Sequence, residues 1–116
     1  MKKNALFLFR LINALSGIKQ AFKSESSFRV QIAIALCVMI IASVLHLAGF
    51  WLALVVVLIA QVLAFELINT AIEAICDLVH PSYSEKIKRI KDMAAGAVLL
   101  SALSALCIVL IKWIDN

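Results

Sequence analysis

The chain has 116 residues, of which 65% are hydrophobic and 16% are charged, and its formal net charge is +4. Its mean hydropathy of +1.07 lies far outside the range of soluble globular domains, so the composition excludes a water-soluble enzyme. The length allows a single domain built from three bilayer-spanning helices. The basic residues border apolar segments, so we expect them to contact anionic lipid headgroups of the bilayer, and we expect no nucleic-acid partner.

Residues 1–24 predict an amphipathic helix that lies on the membrane surface. The apolar side chains of this segment fall broadly on one side of a helix, and four polar side chains fall toward another, namely Arg10, Asn13, Lys19 and Lys23. These polar residues interrupt the apolar stretch, and no small-residue cleavage site follows it. We therefore expect the segment to remain in the mature protein.

Three apolar segments of bilayer-spanning length follow, and we predict membrane helices at 25–48, 51–79 and 91–114. The turn between the first two, around residues 46–51, contains neither Lys nor Arg. Residues 80–90, HPSYSEKIKRI, are basic and are predicted to form the loop between the second and third helices. Because Lys and Arg accumulate on the cytoplasmic side of membrane proteins, we place the N-terminus and this loop in the cytoplasm.

The second predicted span carries four polar side chains at spacings of three, four and four residues. They are Glu66, Asn69, Glu73 and Asp77. This spacing places all four on one face of a helix, which we call the polar stripe. A carboxylate facing lipid costs at least about 2.5 kcal/mol, so the stripe is expected to face the bundle interior, a cavity or a bound cation. Metal ions, Lys91 and Arg29 are the available counter-charges.

Depth separates the expected roles along the polar stripe. Glu66 lies about 16 Å below Asp77 by helical rise, so it is the deepest carboxylate, and an apolar environment makes it a candidate proton acceptor. Glu73 and Asp77 lie nearer the aqueous boundary, where a hard cation with attached phosphate is usually held by one or two carboxylates. Glu25, at the start of the first span, is a further candidate ligand.

Lys91 and Asp92 open the third predicted span on the cytoplasmic side. A lysine there can meet a phosphate, whereas the aspartate either contributes to the site or caps the helix. The chain has no glycine-rich Walker loop, so a nucleotide would have to be held by side chains and metal. The three cysteines fall one in each span, a spacing that indicates neither a disulfide framework nor a zinc site.

Three segments together resemble the bacterial integral-membrane diacylglycerol kinase and undecaprenol kinase family: ELINTAIEAICD at 66–77, IKDMAAGAVLL at 90–100 and SESSFR at 24–29. The resemblance covers essentially the whole chain. It implies an all-α fold in the bacterial cytoplasmic membrane, formed by a homotrimer of three-span subunits that each have an N-terminal surface helix. It also implies transfer of the ATP γ-phosphate to the hydroxyl of a membrane lipid, with Mg²⁺ as the metal.

The resemblance also implies a role for individual residues. Glu66 would be the general base that takes the proton from the lipid alcohol, and Asn69 would lie beside the transferring phosphate. Glu25 and Glu73 would bind the divalent ions that bridge the phosphates of ATP. Phosphoryl transfer depends mostly on positioning and charge neutralisation, so such a set would suffice.

For the nucleotide, the resemblance implies that Lys91 contacts phosphate and Asp92 contacts the rest of ATP, with Asp77 nearby. The resemblance leaves two lipids as candidate substrates. Diacylglycerol, giving phosphatidic acid, is the substrate after which such proteins are usually named. The run AAGAV at 94–98 is closer to the undecaprenol kinase branch, which would make undecaprenyl phosphate.

Two other classes of function are compatible with the polar stripe. An intramembrane carboxylate often marks a proton path, so Glu66 would be the proton carrier of a small transporter. Three spans, rather than a pair of inverted repeats, argue against this alternative. In the second alternative, the stripe serves only to pack the helices of a structural trimer, and Glu73→Gln would be neutral or stabilising.

Overall fold

The computed structural model of the protein describes residues 2–115, and these residues form four helices. They are α1 (Lys3–Ser24), α2 (Ser26–Val44), α3 (Gly49–Val79) and α4 (Glu85–Asp115). By length and composition, α2, α3 and α4 can each cross a membrane. The prediction of an all-α chain with three membrane-spanning helices is confirmed.

A single extended residue separates α1 from α2. Glu25 has φ −115° and ψ 110°, and its N–H still donates to the carbonyl of Ala21 at 2.9 Å. Arg29, one turn into α2, reaches back with Nη1 to the carbonyls of Phe22 at 2.7 Å and Lys23 at 3.0 Å. Because the last carbonyls of a helix have no partner within it, this arginine closes the end of α1 and fixes how α2 leaves it.

The turn between α2 and α3 ends α2 without a glycine or a proline. His46 has a φ of 56°, its N–H donates to the carbonyl of Ser43, and the N–H of Leu47 donates to the carbonyl of Ala42. This pair of bonds is the Schellman arrangement, in which one left-handed residue terminates a helix. His46 therefore serves as the residue that ends α2 and reverses the chain.

The loop between α3 and α4 is shorter than the sequence predicts. Residues 80–84 lie outside both helices, whereas 85–90, predicted to be loop, are the first turns of α4. Pro81 explains the end of α3, since it cannot continue a helix. No comparable breaker follows Ser84, and the acidic Glu85 favours a helix N-terminus, so α4 begins six residues earlier than predicted.

Helix α3 is the centre of the packing. It lies mainly against α4 and also contacts α2 and α1. The buried residues of α4, Ala94 and Ser101, are small, which permits close approach of two helix backbones in a membrane. Most large apolar side chains of the four helices remain exposed on the isolated chain. This surface suits lipid tails or other membrane helices rather than water.

Candidate active site

The polar stripe of α3 contains the most buried polar side chains of that helix. Glu66 is 5% exposed and Asn69 is 9% exposed, Glu73 is half-buried, and the side chain of Asp77 is 66% exposed. Exposure therefore rises along α3 from Glu66 toward its C-terminus. The stripe offers one enclosed carboxylate followed by carboxylates that an aqueous ligand can reach.

Glu66 is held by a residue of another helix. The hydroxyl of Ser27 donates a hydrogen bond of 2.8 Å to Oε1 of Glu66, and the two residues are 39 positions apart in the chain. No local signal could reveal this contact, because it depends on how α2 and α3 pack and on which face of α2 the hydroxyl occupies.

Asn69 links the enclosed part of the stripe to its accessible part. Its Nδ2 donates to Oε1 of Glu73 at 3.2 Å. Among residues 2–115, its Oδ1 is the one buried side-chain oxygen or nitrogen that lacks a hydrogen-bond partner. The amide cannot reverse its orientation without bringing two oxygens together, so Oδ1 is available to a donor or a cation.

Two ion pairs lie at the end of the stripe nearest the α3–α4 loop. Lys91 Nζ is 2.7 Å from Asp77 Oδ1 and joins α4 to α3. Lys88 Nζ is 2.7 Å from Asp92 Oδ2 within α4. Asp92 is the eighth residue of α4, so the interpretation that it caps this helix is wrong.

The two remaining predicted site residues lie at the junction of α1 and α2. Arg29 binds the terminal carbonyls of α1, and no residue of the stripe is among its hydrogen-bond partners. Glu25 is half-buried between the two helices. Among residues 2–115, no three His, Cys, Asp or Glu side chains group closely enough to hold a metal ion. The described part of one chain therefore does not assemble three such ligands at any point, the stripe included.

A polar recess of about 380 Å³ adjoins the Lys91–Asp77 pair. The α3–α4 loop and the first turns of α4 line it, with side chains that sequence analysis did not single out, namely His80, Ser82, Tyr83 and Lys88. The loop segment HPSYS at 80–84 carries the only signal for the first three, a dense set of hydrogen-bonding side chains beside Pro81, whereas Lys88 lies in α4. Lys88 and Lys91 are paired with Asp92 and Asp77, which also line the recess. Each ammonium keeps further N–H groups for phosphate oxygens, and Tyr83 offers an aromatic ring.

A second depression, of about 350 Å³, is an apolar groove between α2, α3 and α4. Gln31 is the polar exception in its lining and lies one turn after Ser27 on α2. Leu63, which also lines it, lies nearly one turn before Glu66 on α3. By helical spacing, the Ser27–Glu66 pair therefore lies about one turn beyond the lining of a groove that suits a hydrocarbon chain.

The sequence of this chain is similar to those of known proteins. The family described as prokaryotic diacylglycerol kinase matches residues 12–112. A diacylglycerol kinase of Synechocystis is 40% identical over 106 residues, covering 90% of this chain and 59% of the relative. The chain thus spans little more than half the length of that relative.

Two further relatives match along most of their length. The diacylglycerol kinase of Escherichia coli is 31% identical over 117 residues, covering 97% of this chain and 93% of the relative. The undecaprenol kinase of Bacillus subtilis is 32% identical over 103 residues, covering 89% of this chain and 83% of the relative. The chain belongs to the prokaryotic diacylglycerol kinase family.

Proposed function

We propose that this chain is an ATP-dependent lipid kinase that transfers the γ-phosphate to the hydroxyl of a membrane lipid, with diacylglycerol as substrate and phosphatidic acid as product. Membership of the family makes it a lipid kinase rather than a proton-coupled transporter. The observation that carries the proposal is the position of Glu66, a buried carboxylate nearly one helical turn beyond Leu63 of the apolar groove. A lipid lying in the groove would bring its hydroxyl to this carboxylate.

In the proposed reaction, Glu66 accepts the proton of the lipid hydroxyl as the oxygen attacks the γ-phosphorus. General-base catalysis of this kind contributes about 10²- to 10⁴-fold to a rate. Burial supports this role, because a dry site strengthens the interaction of the carboxylate with the hydroxyl. Asn69, one turn away and also buried, lies next to Glu66 on the same face, where the transferring phosphate would pass.

The proposed metal is Mg²⁺, and the residues of the stripe fit it. Mg²⁺ prefers oxygen ligands and is usually held by one or two carboxylates together with phosphate oxygens. Glu73 offers a half-buried carboxylate, and Asn69 Oδ1 is a buried oxygen without a partner. Glu25 and Glu73 would hold the ion, which would neutralise charge on the phosphates of ATP.

The nucleotide would occupy the polar recess beside α4. Lys91 donates one hydrogen bond to Asp77 and has two further N–H groups for phosphate oxygens. Asp92, which also lines the recess, would contact the rest of the nucleotide. Arg29 would act indirectly, by fixing the angle between α1 and α2 where Glu25 lies.

We further propose that the working enzyme is a homotrimer in the bacterial inner membrane, with an amphipathic α1 on the cytoplasmic surface and a cytoplasmic N-terminus. Two observations support assembly. In the most apolar 18-residue windows of the three spanning helices, only 6% to 11% of residues are buried. One chain also assembles no group of three possible metal ligands within residues 2–115, and a neighbouring subunit would complete the ligand set.

Undecaprenol is the second candidate substrate. The relative named undecaprenol kinase matches this chain about as well as the Escherichia coli diacylglycerol kinase does. The run AAGAV at 94–98, at the start of the apolar part of α4, also favours that branch. Both lipids present a primary hydroxyl on a long apolar body, so the groove and Glu66 suit either one.

A panel of lipids tests the proposal. The purified chain in detergent or nanodiscs is incubated with γ-labelled ATP, Mg²⁺ and either diacylglycerol or undecaprenol, and the lipid fraction is analysed for label. The proposal predicts label in phosphatidic acid above that in undecaprenyl phosphate. A reversed preference would assign the chain to the second substrate. Inactivity on both lipids, where a control kinase is active, would contradict the proposed function.

A further inference from the structure

Ser27 is the residue that holds the buried end of Glu66. Its hydroxyl donates to Oε1 at 2.8 Å. Within residues 2–115, the only other hydrogen bond between side chains of two different helices joins Lys91 to Asp77. That second bond lies at the exposed end of the stripe, whereas Glu66 is 5% exposed. Within residues 2–115, the Ser27 bond is therefore the one interhelical side-chain hydrogen bond at the enclosed carboxylate.

The location of Ser27 makes its hydroxyl a well-ordered donor. Ser27 is the second residue of α2, so its backbone is fixed by the first turn of that helix. The N-terminus of a helix also carries partial positive charge, which favours an anionic carboxylate beside it. A glutamate side chain has three rotatable bonds and many conformations, and a fixed donor selects one of them.

We propose that Ser27 is a positioning residue for phosphotransfer, because its hydroxyl donates a hydrogen bond to Oε1 of Glu66 and leaves Oε2 free to receive the lipid proton. This inference rests on the proposed function. The lipid oxygen forms a bond to the γ-phosphorus as the bond from that phosphorus to the β–γ bridging oxygen breaks. The electron pair of the broken bond leaves with ADP, and the proton of the lipid hydroxyl passes to Oε2. Ser27 acts only through Glu66.

A structural role for the same bond makes a different prediction. A bond that served only to join α2 to α3 would change the melting temperature when removed, and it would leave the turnover of the remaining folded enzyme intact. A positioning bond changes kcat, because misorientation of the base raises the barrier of the chemical step. The KM values for ATP and lipid stay constant in that case, since Ser27 contacts neither substrate.

The test compares Ser27→Thr with Ser27→Val, two side chains of the same shape that differ in the hydroxyl. We expect Ser27→Val to lower kcat about tenfold, since a hydrogen bond to a charged group is lost, with both KM values within about twofold of the parent. Ser27→Thr should retain kcat within about twofold. Equal kcat values for the two variants would overturn the proposal.

Ser26→Ala is the matched control, because Ser26 lies in the same helical turn and its hydroxyl makes no hydrogen bond within residues 2–115. Its kcat should equal that of the parent. In a Glu66→Asp background the shorter carboxylate no longer reaches Ser27, so Ser27→Val should cause no further loss of rate. The same tenfold loss in both backgrounds would show that Ser27 acts independently of Glu66, and it would overturn the proposal.

A spectroscopic measurement separates this proposal from the proposed function. In protein with ¹³C-labelled glutamate, the carboxyl resonance of Glu66 is identified by its disappearance in Glu66→Gln. Ser27→Val should shift this resonance, and Ser27→Thr should not. An unshifted resonance would overturn the role of Ser27 whatever the activity of the chain. Lipid phosphorylation by the parent tests the proposed function alone.

Discussion

The side-chain amide of Asn69 donates to the carboxylate of Glu73 at 3.2 Å, one helical turn further along α3. Asn69 thereby stabilises the charge of the half-buried Glu73 with a neutral hydrogen-bond donor. A carboxylate at position 69 would instead be repelled by Glu73. The bond also directs the unpaired Oδ1 of Asn69 away from Glu73. The amide at this position thus permits three carboxylates to share one face of the helix.

Asn69→Asp removes this donor and adds a charge of the same sign as Glu73. We expect lipid phosphorylation to fall about 100-fold, because repulsion displaces both side chains from the site. The measurement is the rate of label transfer from ATP to lipid at saturating Mg²⁺. Asn13→Asp introduces the same charge on the exposed α1 and should leave the rate unchanged. Comparable rates for the two variants would contradict the account of Asn69.

The pair of Lys91 and Asp77 is predicted to matter for nucleotide binding more than for folding. Both side chains are partly exposed, and exposed ion pairs contribute little to stability. Lys91→Met should raise the KM for ATP about tenfold through loss of charge-assisted bonds to phosphate, with little change in melting temperature. Lys91→Arg should retain most of the affinity for ATP.

Lys112→Met is the control for this experiment. Lys112 lies near the opposite end of α4, with Nζ 5.2 Å from the ring centre of Trp51. Its loss should leave the KM for ATP unchanged. A KM for ATP that responds equally to both lysine substitutions would indicate a general effect of net charge and would argue against a phosphate contact at Lys91.

Glu73 and Glu25 are predicted to set the requirement for Mg²⁺. Glu73→Gln and Glu25→Gln should each raise the Mg²⁺ concentration at half-maximal activity about tenfold, because an amide is a weaker ligand for a hard cation than a carboxylate. Titration of activity with Mg²⁺ at fixed ATP measures the effect. Glu85→Gln, at the exposed start of α4, is the control and should titrate like the parent. Unchanged titrations for both ligand variants would remove these residues from the metal site.

The predicted orientation places the α3–α4 loop in the cytoplasm and the α2–α3 turn outside. Single-cysteine variants in a chain whose native cysteines are replaced test this prediction. In intact spheroplasts, a membrane-impermeant maleimide should label Ala48→Cys, whereas Ser82→Cys should be labelled only after permeabilisation. The opposite pattern would show that the basic residues around 80–90 lie outside the cell.

Much of the fold could be predicted from the sequence because the bilayer simplifies the problem. Long apolar runs have few alternatives to a membrane helix, and Pro81 marks the end of α3 correctly. The sequence pattern predicts the start of α4 six residues late, because the basic residues within 85–90 are compatible with a loop as well as with an exposed helical turn. Charge alone does not distinguish these two structures.

The candidate site was predictable only where it lies on one helix. The stripe follows from spacing on α3, and its gradient of burial follows from distance along the same axis. Contacts between helices could not be predicted from spacing along one helix. The Ser27–Glu66 bond spans 39 residues, and Arg29, expected among the counter-charges of the stripe, binds the carbonyls of α1 instead. Such pairings depend on crossing angles and rotations that a single sequence does not specify.

The most direct test of the account is the transfer of labelled γ-phosphate to lipid by the parent chain and by Glu66→Gln in the same nanodiscs, with ATP binding measured in parallel. We expect Glu66→Gln to lower lipid phosphorylation at least about 100-fold, because the proton acceptor is lost. Its affinity for ATP should remain within about twofold, since Glu66 lies apart from the polar recess. Undiminished phosphorylation by Glu66→Gln would contradict the central claim.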